Sequence, residues 1–199
     1  MISLANPKRN CLLLALIICR CLAFSHSAID TSKVYKGDID VDLVSNTDGI
    51  SGIKAVFTID ASLTEIWGML NDYHNYKLIY GGIDSLKILE QDKSGILIEF
   101  WSDAVIKKIH FVLYRNIQQT YHTITWKNAG GEIEYIRGSW EINETSIPGK
   151  KLLVYQSYVK VKSGINTWLI RQGAKMKAQS MARNMREWMM KNRKLYAVK

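Results

Sequence analysis

The spacing of apolar positions changes twice along the chain. Asp38-Ile-Asp-Val-Asp-Leu43 alternates acid and apolar, the period of a half-buried strand. Ser45–Gly52 is turn-like, with Asn46, Asp48 and Gly49, and Ile53–Ile59 is a second strand. The period then lengthens. Leu63, Ile66, Trp67 and Leu70 share one face of a helix over Ser62–Leu70. Asp60 or Ser62 caps it, and Glu65, three residues after Ser62, completes a capping box. Asn71–Tyr80 is broken and tyrosine-rich, and Gly81-Gly82 ends it. Six strands follow: Ile83–Gln91, Gly95–Ser102, Val105–Gln118, Tyr121–Lys127, Glu132–Asn143 and Leu152–Lys162, separated by turn-like breaks. From Ile165 to Tyr196 the period is helical again. Ile170, Ala174, Ala178, Met181, Met185, Trp188, Met189 and Leu195 fall on one side, and Lys175, Arg183, Arg186, Lys191, Arg193 and Lys194 on the other.

So many strands joined by short turns form an antiparallel meander with one concave apolar face. That face has to be covered, and the final helix is the one predicted element long enough to do it. The expected class is α+β: a curved antiparallel sheet around a long C-terminal helix, with small helical pieces after the first strands.

Composition separates the N-terminus from the rest. Lys8 and Arg9 precede the apolar run Cys11–Ile18, and the small residues Ala23, Ser25 and Ser27 follow it. This reads as a signal peptide over residues 1–27, with Arg20 leaving an uncleaved N-terminal membrane anchor as the alternative. All three cysteines lie in this segment. Its removal excludes disulfides and thiolate chemistry, in keeping with a periplasmic or secreted protein. Residues 28–48 read as a linker and an additional strand, and 49–199 as the main domain. The net charge is +9, of which the segment Ile165–Lys199 carries +8, with Glu187 its single acid. The body is therefore near neutral and the last helix is strongly basic.

Particular residues point to a family. Ile59-Asp-Ala-Ser-Leu-Thr-Glu-Ile-Trp67, then Leu70-Asn-Asp-Tyr73 and Tyr76, resemble the opening strand-to-helix signature of the polyketide cyclase/dehydrase and Coq10-like branch of the START/Bet v 1-like (SRPBCC) superfamily. Gly138-Ser-Trp-Glu-Ile142, Leu153-Val-Tyr155 and the final helix resemble its closing half. The resemblance covers about Gly49–Lys194. It departs at Ser163-Gly164-Ile165, where the branch often has proline. It implies the helix-grip fold and a cavity between sheet and last helix. Members hold lipids, sterols, quinones or polyketides there, and some act chiefly through protein partners.

The residues themselves offer little catalysis. His74, His110 and His122 show no ligand spacing. Asp38, Asp40 and Asp42 would sit about 6.7 Å apart along one strand face, too dispersed to hold calcium alone. No phosphate loop or nucleophile elbow occurs, and no metal or cofactor is expected. Arg115 is in phase with Ile109, Phe111 and Leu113, and Arg137 with Ile133 and Tyr135. On a concave face each would meet a ligand carboxylate or phosphate, unless a bulge breaks the phase. The cavity candidates are Trp67, Tyr73, Tyr76, Tyr80, Tyr114, Arg115, Trp126, Tyr135, Arg137, Tyr155, Met181 and Met185, chosen for large amphipathic or flexible side chains.

The basic face (Lys175, Arg183, Arg186, Lys191, Arg193 and Lys194) has no ladder of acids to neutralise it. An anionic membrane surface is its expected partner, and nucleic acid is not expected. The reading is a carrier or sensor of a hydrophobic, lipid-like ligand. The alternatives are a cyclase or aromatase-type enzyme, and a module whose basic helix binds an acidic protein.

Overall fold

The computed structural model describes residues 31–103, 108–116, 122–161 and 167–197. The predicted signal peptide, 1–27, lies outside them. The elements run α1 (Thr31–Tyr35), β1 (Asp40–Ser45), β2 (Ser51–Asp60), α2 (Leu63–Leu70), α3 (Tyr76–Tyr80), β3 (Ile83–Gln91), β4 (Ile96–Asp103), β5 (Lys108–Asn116), β6 (Thr123–Gly131), β7 (Ile133–Glu144), β8 (Lys150–Val161) and α4 (Thr167–Asn192). A 3₁₀ turn, Arg193–Leu195, follows α4.

The strands form one antiparallel eight-stranded sheet in the order β1-β2-β8-β7-β6-β5-β4-β3. β3 to β8 are a meander. The β1–β2 hairpin attaches to its far end, with Phe57 opposite Leu153. Register shifts at Ile83/Ser85, Ile88/Glu90, Val112/Leu113 and Ile133/Tyr135 bend and twist the strands. The curved sheet wraps α4, which is the helix-grip architecture.

The capping box forms as its residues predict. Glu65 Oε2 accepts from the Ser62 backbone N–H at 2.7 Å, and Ser62 Oγ accepts from the Glu65 N–H at 3.3 Å. α2 then buries Ile66, Met69 and Leu70. Gly81 ends α3 at φ 65°, a conformation side-chain-bearing residues rarely adopt. α4 buries Ala178, Met181, Ala182, Met185 and Met189 against the sheet.

Two expectations are corrected. The described part of the stretch read as linker is not plain linker: Thr31–Tyr35 form α1, Val34 is fully buried, and the Thr58 hydroxyl donates to its carbonyl at 3.3 Å. Leu195, placed on the apolar stripe of the last helix, is 64% exposed. It follows the switch from α to the tighter 3₁₀ turn, which rotates it off the stripe.

Candidate functional site

Between sheet and α4 lies a cavity of about 1050 Å³. Its mouth is formed by the β1–β2 turn, Gly81-Gly82, the ends of β7 and β8, and the first turns of α4 around Gly173 and Lys177. Its walls are the inward positions of the strands. On β5 these are Ile109, Phe111, Leu113 and Arg115, in strict alternation from mouth to deep end.

Arg115 is 2% exposed. Its Nη1 donates to Tyr73 Oη at 2.7 Å and its Nη2 to the Leu70 carbonyl at 3.0 Å. The guanidinium also lies 5.3 Å from the Tyr73 ring centroid. Tyr80 donates to the same carbonyl at 3.2 Å. The break between α2 and α3 thus leaves a backbone acceptor that both side chains satisfy. Tyr73, Tyr76 and Tyr80 form a stack, with centroids 6.0 and 3.8 Å apart. Across the cavity Tyr155 packs between Trp126 and Trp140, at 5.6 and 4.7 Å. Gly138 makes room there, because a Cβ would collide with the Trp126 ring.

Burial pushes the phenols upward: Tyr76 to about 12, Tyr80 well above its usual value, and Tyr73 and Tyr155 also up. They stay neutral near physiological pH. Tyr76 and Tyr155, on the wall, can donate hydrogen bonds to a ligand, but all four are poor bases.

Residues 59–186 match the family described as polyketide cyclase / dehydrase and lipid transport. The chain belongs to this family. The fold also recurs in solved structures. A STAR-related lipid transfer protein from Xanthomonas axonopodis aligns with TM-score 0.65 at 12% identity, over 76% of this chain and 93% of that one. Human StAR-related lipid transfer protein 5 aligns with TM-score 0.64 at 10% identity, over 78% and 83%. The Zhui aromatase/cyclase from a Streptomyces species aligns with TM-score 0.60 at 12% identity, over 77% and 98%. At these identities they share the fold and nothing finer. No curated protein matches the chain significantly.

Within this family fold, the predicted cavity residues divide. Tyr76, Tyr80, Arg115, Trp126, Tyr155 and Met181 line the wall. Tyr73 stands behind it, holding Arg115. Trp67 packs half-buried against the core, and Met185 is sealed within that core, beyond the cavity. Tyr114 faces outward, as its neighbours Leu113 and Arg115 require. Its hydroxyl donates to Ser94 Oγ at 3.0 Å, and Lys127 Nζ lies 5.5 Å from its ring centroid. Tyr135 and Arg137 also fall outside. The register shift after Ile133 makes Ile133 and Ile136 both inward, so the residues in phase with Ile133 turn out. Tyr135 accepts from Asn46 Nδ2 at 3.4 Å, and Arg137 is exposed.

The set of cavity candidates left out Phe100, Phe111, Trp140 and Lys177, which also line the cavity. Phe100 alternates with Ile96 and Ile98, and Phe111 with Ile109 and Leu113, so strand parity could have found both. The histidines contribute nothing to the wall: His110 Nε2 pairs with Glu99 Oε1 at 2.7 Å, and His122 Nδ1 lies 3.4 Å from the Ile142 carbonyl. Among the described residues no three His, Cys, Asp or Glu side chains are placed to hold a metal ion.

The basic face of α4 is not uniform. Arg186 reaches into the body, donating to the Thr58, Gly37 and Asp38 carbonyls at 2.8, 2.6 and 3.3 Å. Its guanidinium lies 5.8 Å from the Phe57 ring centroid. Arg193 binds Glu65. Both were expected on a free docking face; tertiary contacts occupy them instead. Lys191 makes a loose pair with Glu187 at 3.8 Å, Arg183 and Lys194 are exposed, and Lys175 is half-buried.

Proposed function

We propose that the protein is a carrier or sensor of a hydrophobic, lipid-like ligand held between the sheet and α4. The cavity carries this reading. Its volume is at the top of the range of about 300–1,000 Å³ seen for small-molecule sites, and its wall is apolar except for Arg115, a few hydroxyls, and Asp48, Lys160 and Lys177 at the mouth. Membership of a family that includes lipid transport proteins supports it. A cyclase-type reaction would need a proton acceptor on the wall. The tyrosines there are held neutral, the histidines lie elsewhere, and the lining carboxylate, Asp48, sits exposed on the β1–β2 turn at the mouth, so the geometry favours binding over turnover.

The chain would work in a periplasm or outside the cell, after loss of residues 1–27. This location rests on the signal-like N-terminus. Docking on anionic lipid would fall to Lys175, Arg183 and Lys191 on α4 and Lys194 on the turn after it, which are not tied to backbone or to Glu65 as Arg186 and Arg193 are. Among the described residues no helix is long and apolar enough to cross a membrane.

The test is native mass spectrometry of the purified protein after exposure to a lipid extract. A bound species of defined mass, lost on denaturation, is expected. Recovery of the ligand-free mass alone, at saturating extract, would overturn the reading.

A further inference from the structure

Arg115 is a buried cation without a buried anion. Among the described residues, its hydrogen bonds go to a phenol and a peptide carbonyl, both uncharged, and no carboxylate lies within ion-pair range. The groups packed around it are Tyr73, Tyr76 and Tyr80, which burial keeps protonated. An uncompensated charge in such a place is costly, and proteins pair nearly all of them. A guanidinium has five N–H donors in a planar fork, of which the protein engages two through Nη1 and Nη2. The residue forms part of the deep wall of an open apolar cavity.

We infer that the cavity is built for an amphiphile with a single negative charge, a long-chain carboxylate. Its head group would meet Arg115 at the deep end, and its chain would run toward the mouth. This rests on the ligand-binding reading above and names the ligand class.

Four features carry it. The charge is single, and one carboxylate neutralises it, whereas a phosphomonoester would bring nearly two negative charges into a dry site. The guanidinium matches a carboxylate in bidentate geometry. The Tyr76 hydroxyl beside it, which burial keeps neutral, can add a donor to the anion; the Tyr73 and Tyr80 protons go to Asn71 and to the Leu70 carbonyl. From Arg115 toward the mouth the wall of β5 is Leu113, Phe111 and Ile109, suited to an alkyl chain and to nothing charged. The head-inward orientation follows from where the cation lies. The mouth lysines, Lys160 and Lys177, are substantially exposed and gain less from an ion pair.

The test compares palmitic acid, methyl palmitate and palmityl alcohol on the purified protein and on Arg115→Gln, by calorimetry or displacement of a fluorescent fatty acid. The wild type should bind the acid at least tenfold more tightly than the ester or the alcohol near neutral pH. Arg115→Gln should lose at least tenfold in affinity for the acid and change little for the ester. Circular dichroism of the ligand-free variant checks its fold, since glutamine cannot reproduce both hydrogen bonds of Arg115. Equal affinity of the wild type for acid and ester would overturn the inference and leave the carrier reading standing. So would undiminished acid binding by Arg115→Gln. Binding of none of the three chains would overturn the inference, and the lipid-extract experiment above then decides the carrier reading.

Discussion

Glu65 and Arg193 are joined by two hydrogen bonds, from Nε to Oε1 at 2.7 Å and from Nη2 to Oε2 at 3.0 Å. The same carboxylate caps the first turn of α2 through the Ser62 N–H. One buried side chain therefore fastens the end of the C-terminal helix to the start of the first core helix. The hydrogen bonds from Arg193, chiefly, hold the Glu65 carboxyl at about 2; burial opposes them and the Ser62 N–H assists.

That depressed value sets a pH window. The folded pKa lies below the ordinary 4.5, so ionised Glu65 favours the fold. Its contribution is complete above pH 4.5 and disappears as pH falls toward 2. Urea midpoints of the wild type should drop through this interval, and those of Glu65→Gln should drop less. Near neutral pH, Glu65→Gln should cost about 1 kcal/mol, since glutamine keeps the cap and Arg193 is half exposed. An identical acid profile for the two proteins would contradict the assignment.

A second latch lies beside the first. Tyr196 Oη accepts from Trp188 Nε1 at 2.7 Å and donates to Asp72 Oδ2 at 2.6 Å. Its ring covers Gly68, where an added Cβ would come within 3.0 Å of it. Tyr196→Phe should lower stability by about 1–3 kcal/mol in urea unfolding, because it strands a donor and an acceptor together.

Arg186 should behave as a structural residue, unlike its neighbour Arg183. Arg186→Ala removes the donor to three carbonyls and should expose the segment around Lys36 and Gly37 to trypsin, with a loss of about 2–3 kcal/mol. Arg183→Glu should leave proteolysis and melting unchanged. If α4 docks on anionic vesicles, Arg183→Glu should weaken that binding. Equal protease resistance of wild type and Arg186→Ala would show that the α1–β1 segment is held by other contacts.

Filling the mouth separates ligand binding from folding. Ala174 lines the cavity on the first turns of α4. Ala174→Phe should reduce lipid binding at least tenfold while leaving the thermal midpoint unchanged or higher, as added apolar volume enters empty space. Unaltered binding would place the ligand elsewhere.

Much of this protein could be read along the chain. The strand periods, the Ser62–Glu65 cap and the final helix were all legible, because each is written in residues within one or two turns of each other. Arg115 was legible for the same reason, since unbroken alternation from Ile109 turns it inward. Arg137 was not. A bulge adds one residue to a strand without any necessary mark in composition, and every position after it changes face. The basic face misled in a similar way. Helical spacing puts Arg186 and Arg193 on the polar side, but long side chains reach acceptors that spacing does not contain.

The sequence alone therefore determined the elements from β1 onward, their order and the apolar stripe of α4, since local periodicity and capping act over a few residues. The tertiary structure decided which of its cations are committed. It paired β2 with β8, brought Glu65 to Arg193, and set Arg115 in the wall of a cavity with no carboxylate beside it among the described residues. Those outcomes depend on which distant surfaces bury one another, and no local pattern encodes them.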